Sequence, residues 1–374
     1  FGEVQDVFDA APVIYTTGGV LDNNQPGSMT DVIEHRGRVF LATPTEFVRF
    51  SKPLRQGFAA GFPVPQFVID VPGDASDITG IESNSNFLCL FTRDSVFAVS
   101  GDGPNALGQG GFSQPTLLGN GQGAVPGSAH LSHTFGTFYA ADRGIYLVTP
   151  NGQIQYVGAP VEDTVGGDLV KSIDVFDHTN EIRFLIQSSS NSKICCFNTF
   201  YKQWSVWSLA ESIVDQINYS ATGGSGDDTH YLLSKKSPIR RQSTTNYVDN
   251  ITDLGSGVTA KSIYAMTVDF MPISINAIQG TQRVYRAMIL YTAKDAALVG
   301  LQILVANDYE NFSSGTGYVL TTVPNAPGNI RIHVKNQKSR AIQLRVGEVT
   351  SGASDTVSGI TLSGLALEIG ARPG

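Results

Sequence analysis

The chain of 374 residues contains few cysteines and a low share of charged residues. Three cysteines, two of them adjacent, cannot supply the framework of paired bridges that holds small secreted domains together. All three lie in apolar runs, so we expect Cys89, Cys195 and Cys196 to be small core residues. The sequence also lacks an apolar run long enough to cross a membrane, and no membrane anchor is expected.

Motifs of catalytic and ligand-binding sites are missing as well. The glycine-rich stretch 101–112 neither precedes a helical pattern nor ends in Gly-Lys-Ser/Thr, so it is not a phosphate loop. His130 and His133 stand three residues apart, a spacing that directs strand side chains to opposite faces and makes a poor metal pair. The sequence therefore offers no metal site built on paired histidines.

Acidic residues and histidines occur together in two polar stretches. Asp177-His178 and Asp228-Thr229-His230 lie next to turn-forming residues, so we predict turns rather than acid–base sites. Three acidic residues that lie close together lack the spacing of a calcium loop, so we predict that they belong to a solvated turn. These residues are Asp174, Asp177 and Glu181. We therefore predict no catalytic residue, no metal and no cofactor, and expect that the chain is not an enzyme.

What the sequence does contain is a repeated pattern of short apolar runs separated by turns. In "NFLCLFTRDSVFAVSGDGP" (86–104) two such runs flank a polar step, which predicts a β-hairpin. Matching positions recur at a spacing of roughly 40–50 residues, the range of four-stranded propeller blades. These positions are Ile33, Ile81, Leu131, Ile173 and Ile217.

The repeated pattern predicts an all-β fold whose residues 1–255 form a β-propeller-like domain of about five or more blades. The units share strand pattern but no blade signature such as Trp-Asp, so a stacked β-sandwich or irregular β-solenoid stays open as the alternative. The chain begins with Phe1 rather than Met. We therefore expect it to be part of a longer protein. Whether the first domain is complete at its N-terminal end stays open.

The chain changes character after a polar, glycine-punctuated connector at 245–262. Beyond it the apolar runs are longer and alternate more cleanly with polar residues. In "RAIQLRVGEV" (340–349), for instance, Ile342, Leu344 and Val346 face one way. We place a boundary near 255 and predict an antiparallel β-sandwich over residues 256–374.

The net charge and two small clusters of side chains suggest contact surfaces rather than a reaction centre. A net charge of −8 argues against a broad phosphate-binding face. One small basic cluster fits a solvated strand edge or a contact with another subunit: Lys235, Lys236, Arg240 and Arg241. Aromatic residues around one predicted strand either belong to the core or could stack on a sugar: Tyr201, Trp204 and Trp207.

Several segments resemble the tail nozzle and tail-hub proteins of short-tailed bacteriophages, which include tail tubular protein B and the packaged-DNA stabilisation protein. The similar segments are "DVIEHRGRVFLATPTEFVRFSKPL" (31–54), "ITGIESNSNFLCLFTRDSVFAVSGDGP" (78–104), "TFGTFYAADRGIYLVTPNG" (134–152) and "GLALEIGARPG" (364–374). The resemblance spans most of the chain, and it rests on strand patterns and a few turn residues.

This resemblance implies a structural role in the virion tail for a protein made in the host bacterial cytoplasm. Copies of the chain would form a ring, most often six-fold, below the head–tail adaptor and next to other tail proteins. The ring would enclose the channel through which double-stranded DNA leaves, without binding it specifically. Two alternatives stay open: a glycan- or receptor-binding propeller that uses Tyr201, Trp204 and Trp207, and a propeller glycoside hydrolase, for which the sequence offers no convincing carboxylate pair.

Overall fold

The computed structural model is an all-β protein in which strands make up 57% and helices 5%. It describes residues 21–45, 47–64, 66–72, 77–105, 107–166, 168–187, 191–209, 212–219, 229–235, 239–242, 249–252, 259–262, 267–270, 273, 281–293, 299–307, 312, 316–320, 328–333, 341–350 and 360–372. The chain divides into two compact units, Phe1–Arg241 and Gln242–Gly374.

The first unit is a series of small antiparallel sheets, each built from strands that are consecutive in the chain. Sheet A contains β1 Asp31–His35, β2 Arg38–Ala42, β3 Phe47–Phe50 and β4 Val68–Asp70. Sheet B contains β5 Ile78–Ser83, β6 Leu88–Thr92, β7 Ser95–Val99 and β8 Thr116–Asn120. Sheet C contains β9 His130–His133, β10 Gly136–Ala141, β11 Gly144–Val148 and β12 Ile154–Tyr156.

Two further sheets complete the described part of this unit. Sheet D contains β13 Leu169–Phe176, β14 Glu181–Gln187, β15 Ser192–Asn198 and β16 Gln203–Ser208. Sheet E contains β17 Ile213–Tyr219, β18 Thr229–Ser234 and β19 Arg240–Arg241. Between sheets C and D lie a 3-10 turn at Ala159–Val161 and the short helix α1, Glu162–Val165, and a second 3-10 turn, Asp177–Thr179, joins β13 to β14.

Apolar clusters fill the spaces between successive sheets. Phe40 of sheet A packs with Leu90 of sheet B, and Cys89 of sheet B packs with Tyr139 of sheet C. Phe138 of sheet C packs with the core of sheet D, and a further cluster joins sheets D and E. Sheets A to E therefore pack in chain order. Within the described residues they do not close into a barrel or propeller, so the closed propeller stays a prediction.

The second unit also consists of antiparallel strands. A two-stranded sheet contains β20 Asp249–Thr252 and β21 Thr259–Ser262. A four-stranded sheet, ordered β22-β27-β24-β25, contains β22 Thr267–Asp269, β24 Val299–Asn307, β25 Thr316–Leu320 and β27 Ile342–Thr350. A three-stranded sheet, ordered β26-β23-β28, contains β23 Thr281–Ala293, β26 Gly328–His333 and β28 Ile360–Arg372. One apolar cluster, with Ile289, Ile303 and Leu344 at its centre, joins the last two sheets.

The local patterns of the sequence predicted much of this arrangement. The five repeat positions lie in β1, β5, β9, β13 and β17, the first strands of sheets A to E. The hairpin in 86–104 is β6 and β7, and every residue of β6 is buried, as its continuous apolar run predicts. All three cysteines are buried and unpaired, and burial raises the pKa of each thiol to about 12.

The boundary between the units requires a correction. It falls between Arg241 and Gln242, earlier than the predicted position near 255. The stretch 245–262 looked like a connector because it is polar and rich in glycine. However, strands β20 and β21 lie within it and pair with each other, and this hairpin belongs to the second unit.

Candidate functional site

The first strands of sheets A to E form a continuous row. β1 contacts β5, β5 contacts β9, β9 contacts β13, and β13 contacts β17. We call this row the seam. Its ionisable side chains come from different sheets and gather at two places, one around His130 and one around Asp174. Both places bring together residues that are far apart in the sequence.

At the first place His130 of β9 lies between two carboxylates from two other sheets. Its Nε2 is 2.9 Å from Oδ2 of Asp31 on β1, and its Nδ1 is 3.1 Å from Oε2 of Glu82 on β5. The ring stacks on Phe91 at a centroid distance of 5.8 Å. Only a glycine fits beside the imidazole at position 80, because a Cβ on Gly80 would lie 2.5 Å from Nε2 of His130. One side chain thus ties three sheets together.

This geometry keeps His130 protonated. Burial disfavours the charged form, but the hydrogen bonds and charges of Asp31 and Glu82 outweigh it and raise the pKa of His130 to about 9. The carboxylate of Asp31 also accepts the amides of Val32 and Ile81, and its pKa is lowered despite its burial. Because each imidazole nitrogen donates to a carboxylate, neither is left to accept a proton or to bind a metal.

At the second place the charges of two carboxylates affect each other across neighbouring strands. Burial, together with the charge of Asp215 on β17, raises the pKa of Asp174 on β13 to about 6. The two strands are also joined by direct hydrogen bonds. Nδ2 of Asn218 donates to the carbonyl of Val175 at 2.6 Å, and the hydroxyl of Ser172 donates to the carbonyl of Gln216 at 3.4 Å.

A buried arginine links sheets D and E behind the seam. Arg183 of β14 is 3% exposed, and its Nε and Nη2 donate to Oε2 of Glu181 at 3.0 and 2.7 Å. Its guanidinium carbon lies 3.9 Å from the ring centroid of Phe176 and 4.6 Å from that of Trp207. Two aromatic faces and a carboxylate therefore surround the charge and compensate for its removal from water.

The same arginine fixes the protonation state of His230. Its Nη1 lies 3.0 Å from Nδ1 of His230, and since a guanidinium only donates, Nδ1 accepts. Nε2 then carries the hydrogen and donates to Oε1 of Gln216 at 3.1 Å. Burial and the charge of Arg183 lower the pKa of His230 to about 3. This histidine is neutral in the folded protein.

The structure separates the residues that the sequence suggested as metal or acid–base groups. His130 points towards sheet B, whereas His133 stacks on Phe135 at 5.0 Å, so the two do face apart. The solvated turn predicted for Asp174, Asp177 and Glu181 is confirmed only for Asp177, which begins a 3-10 turn. It is wrong for the other two, because the flanking strands extend into the polar stretch: Asp174 lies in β13, and Glu181 lies in β14 and pairs with Arg183. Among the described residues no group of three or more histidine, cysteine or acidic side chains could hold a metal ion.

The turn predicted for His230 is a correction. The residue is 1% exposed and lies in β18, not in a loop. The polar letters of the preceding stretch suggested a turn, but the imidazole is buried because Arg183 and Gln216 satisfy both of its nitrogens. Asp228 lies outside the described residues.

Three of the four predicted subunit-contact residues lie in or next to sheet E. Lys235 follows β18 and is exposed, with its amide donating to the carbonyl of Ser212. Arg240 and Arg241 form β19, the edge strand, and pair with Leu232 and Tyr231. Lys236 lies outside the described residues. Whether these residues contact another subunit stays a prediction.

The three predicted glycan-stacking residues do not share a surface. Trp204 packs on Phe184 and Phe197 of the core, and its Nε1 donates to the carbonyl of Val157 at 2.9 Å. Trp207, three residues further along the strand, faces the other way and covers Arg183. Tyr201 lies at the tip of the β15–β16 hairpin and is 68% exposed.

The sequence missed the paired charged residues of the seam and the buried arginine behind it. Asp31, Glu82 and Arg183 look like ordinary charged residues of amphipathic strands, and only the packing of different sheets brings them to a histidine. One available signal was the placement of Asp31, Glu82 and His130, each two residues or fewer from a repeat position. Equivalent positions of successive repeats face a common row when the repeats stack.

Comparison with known proteins does not identify the chain. No protein-family model matches it, and no curated protein matches it. In the described part of the chain, no helix is long and apolar enough to span a membrane.

Proposed function

We propose that the chain is a structural protein of a bacteriophage tail, a subunit of a nozzle or hub ring that encloses the DNA exit channel. In this proposal sheets A to E are blades of a β-propeller-like domain, and the last two sheets of the second unit form a β-sandwich. The sequence resemblance to tail nozzle and tail-hub proteins suggests the role. The protein would act in the virion tail, beside the head–tail adaptor.

One structural observation carries the proposal: five antiparallel sheets pack in chain order and are fastened to one another by buried contacts. Such a stack is stiff, because each sheet is held on its face by its neighbour and only short edges are exposed. Two buried ionisable residues serve the same purpose, since His130 of the seam and Arg183 behind it link sheets to each other. A wall around a channel needs this stiffness and needs no reactive group.

Electron microscopy of the purified chain tests this proposal. Negative-stain images should show rings with a central hole wide enough for duplex DNA, with six-fold views the commonest. Antibodies raised against the chain should label the tails of the phage particles that contain it. Compact particles without a hole, together with unlabelled tails, would contradict the proposal.

A receptor-binding role is the second candidate, and the β15–β16 tip favours it. Phe200 and Tyr201 are 74% and 68% exposed, and their amides donate to Oδ1 of Asn198 at 3.1 and 2.8 Å, which fixes the turn. Preordered aromatic side chains are typical of recognition surfaces. Binding to a glycan array that is lost in Tyr201→Ser and kept in Thr199→Ser would support this candidate over the first.

A further inference from the structure

The turns of sheets A to D lie at two ends of the stack. Each sheet pairs its four strands in chain order and antiparallel, so its first and third turns lie at one end and its second turn lies at the other. Arg36 of sheet A donates to the carbonyl of Asn86 of sheet B, whose side chain donates to the carbonyl of Pro150 of sheet C. Lys202 of sheet D lies over the ring of Phe135 of sheet C. These contacts join first and third turns of all four sheets at one end, which we call the upper end.

Apolar side chains are exposed at the upper end of each of these sheets. Phe200 and Tyr201 of the β15–β16 tip are 74% and 68% exposed, and Phe135 of the β9–β10 turn is 40% exposed. Three more, in the third turns of sheets A and B, are 40%, 46% and 47% exposed: Leu54, Phe58 and Leu107. Charged residues also lie at this end, and two of them, Arg36 and Asp102, pair with each other at 3.2 Å.

The opposite end of the same sheets carries charged side chains instead. An ion pair of 2.6 Å between Arg93 and Asp142 joins the second turns of sheets B and C. Arg143, in the same turn of sheet C, pairs with Glu162 at 3.3 Å. In the described part of the turns and connections between strands at this end, no large apolar side chain is exposed. The two ends of the stack therefore differ in polarity.

The backbone of the β15–β16 tip is suited to surroundings that contain little water. The amides of residues 199 and 202 donate to the carbonyls of Asn180 and Asn198 at 2.7 and 2.9 Å. Oδ1 of Asn198 accepts the two amides between them at 3.1 and 2.8 Å. In water these amides would find partners in the solvent, whereas in a lipid interface an unpaired amide is costly. The tip can therefore leave water without losing hydrogen bonds from its amides.

The positive charge of this tip is held away from its apex. Lys202 has a left-handed backbone with a φ of 56°, and its Nζ lies 4.1 Å from the ring centroid of Phe135 and 5.8 Å from that of Phe197. The ammonium group thus lies beside the base of the hairpin, and the rings of Phe200 and Tyr201 project beyond it. Lysines at bilayer surfaces have this arrangement, with the charge at the headgroups and apolar groups deeper.

We propose that the upper end of sheets A to D binds the surface of a lipid bilayer, with Phe200 and Tyr201 inserted at the boundary between headgroups and acyl chains. Most of each ring projects from the protein. A fluid lipid interface can surround such a ring on every side, whereas a sugar stacks on one face of it. Apolar groups on separate turns can also reach one membrane surface together. The inference does not depend on the proposed function.

Flotation of the full chain with phosphatidylcholine vesicles, with and without phosphatidylglycerol, tests the inference. Wild-type protein should float with both, and its binding should persist at about 0.5 M salt, where surface charges are screened. Phe200→Ser and Tyr201→Ser should each weaken binding by about tenfold. Val206→Ser is the matched control, because Val206 is 40% exposed on β16 of the same hairpin, and it should bind like wild type. Circular dichroism spectra should show that all three variants fold.

The position of the tip in the bilayer gives a second readout. Brominated lipids quench tryptophans that enter the acyl region. The fluorescence of Phe200→Trp should therefore be quenched more than that of wild type, whose tryptophans are Trp204 and Trp207. Val206→Trp should be quenched no more than wild type.

Four results would overturn the inference. One is wild-type protein that does not float with either kind of vesicle, including a protein that instead binds a glycan array through Tyr201. Another is binding that requires phosphatidylglycerol and disappears in salt, because it would then be an attraction of charges. The others are Phe200→Ser and Tyr201→Ser proteins that bind like wild type, and a Val206→Ser protein that is equally impaired.

The lipid inference and the proposed function fail in different ways. Rings with a central hole that do not bind vesicles would overturn the lipid inference and leave the proposed function intact. Vesicle binding that Phe200→Ser abolishes, by particles without a hole, would support the lipid inference and contradict the ring. Flotation and imaging therefore separate the two ideas.

Discussion

His130 and His230 lie in the same stack of sheets but are held in opposite protonation states. His130 has a carboxylate on each nitrogen and a pKa raised to about 9. His230 has the guanidinium of Arg183 on one nitrogen and a pKa lowered to about 3. Both imidazoles join different sheets, so each makes the stability of the fold depend on pH, with opposite signs.

His130 should stabilise the fold up to mildly alkaline pH. Its folded pKa lies above the unfolded value of about 6.5, so its contribution is complete below that pH and is lost as pH rises through about 9. The contribution is roughly 3 kcal/mol. Denaturant unfolding from about pH 6 to about pH 10 should show a decline in wild type that is largely absent in His130→Gln.

The unfolding free energy of the His130→Gln protein should also be lower at neutral pH, by roughly 3 kcal/mol. The reason is that the carboxylates of Asp31 and Glu82 lose the protonated imidazole between them. His133→Gln is the control, since His133 lies at the end of the same strand, where it contacts the neighbouring residues Thr134 and Phe135. Parallel pH profiles for wild type and His130→Gln would refute the role of the imidazolium.

His230 should affect the stability of the fold at acid pH. Its folded pKa lies below the unfolded value, so its contribution is complete above about pH 6.5 and is lost as pH falls towards about 3. The unfolding free energy should therefore drop by up to about 1.4 kcal/mol per pH unit below pH 6 from this residue alone. His230→Gln should show a shallower drop. An imidazole NMR signal of His230 that titrates near its ordinary pKa would contradict this assignment.

At the scale of elements, one buried side chain holds the long glycine-rich loop between β7 and β8. Arg38 of β2 donates from Nε to the carbonyl of Asp102 at 3.1 Å and from Nη2 to that of Pro104. It also donates to the carbonyl of Ser51 at 2.9 Å, and it is 4% exposed. A loop that lacks the phosphate-binding pattern is thus fastened to sheet A by its backbone.

Arg38→Lys should release this loop. A lysine cannot reproduce the three directed donors, and buried carbonyls would lose their partners, so we expect a loss of about 1–3 kcal/mol in unfolding free energy. Hydrogen exchange over residues 101–112 should become faster. Arg36→Lys is the control: Arg36 reaches Gly101, Asp102 and Asn86 from an exposed position, and its loss should cost less than about 1 kcal/mol. Equal exchange in both variants would contradict the anchoring role.

Elements were predictable where their causes are local. Ile33, Ile81, Leu131, Ile173 and Ile217 could be placed in first strands because alternation and turn residues are properties of sequence neighbours. The contacts between sheets were not predictable in this way. Glu82 and His130 are 48 residues apart, and only the packing of β5 against β9 brings them together. His230 was assigned to a turn for the same reason, since its partners come from other strands.

At the scale of the whole molecule, the charge distribution bears on the proposed role, in which DNA would pass through a ring of copies. The seam carries four carboxylates, those of Asp31, Glu82, Asp174 and Asp215, and the chain has a net charge of −8. Firm lysine and arginine contacts to phosphate would slow a sliding duplex, because such contacts dominate non-specific affinity. In the proposed ring, an acidic lining of the channel would avoid such contacts.

We therefore expect the isolated chain to bind duplex DNA only weakly, with a dissociation constant of about 100 μM or more at physiological salt. Fluorescence anisotropy with a labelled duplex over a salt series measures this. Lys235→Glu provides the comparison, since Lys235 is exposed beside sheet E. A micromolar dissociation constant that rises steeply with salt, and that is larger still for Lys235→Glu, would mean that the basic residues around position 235 bind phosphate.

The consecutive order of strands within each sheet has a consequence for how the chain reaches its fold. Sheets A to D each pair only strands that follow one another, so their ladders close short loops, which cost little chain entropy. Each sheet can assemble soon after its last strand leaves the ribosome, and it then offers an apolar surface on which the next sheet forms. Synthesis and stacking therefore run in the same direction along the chain.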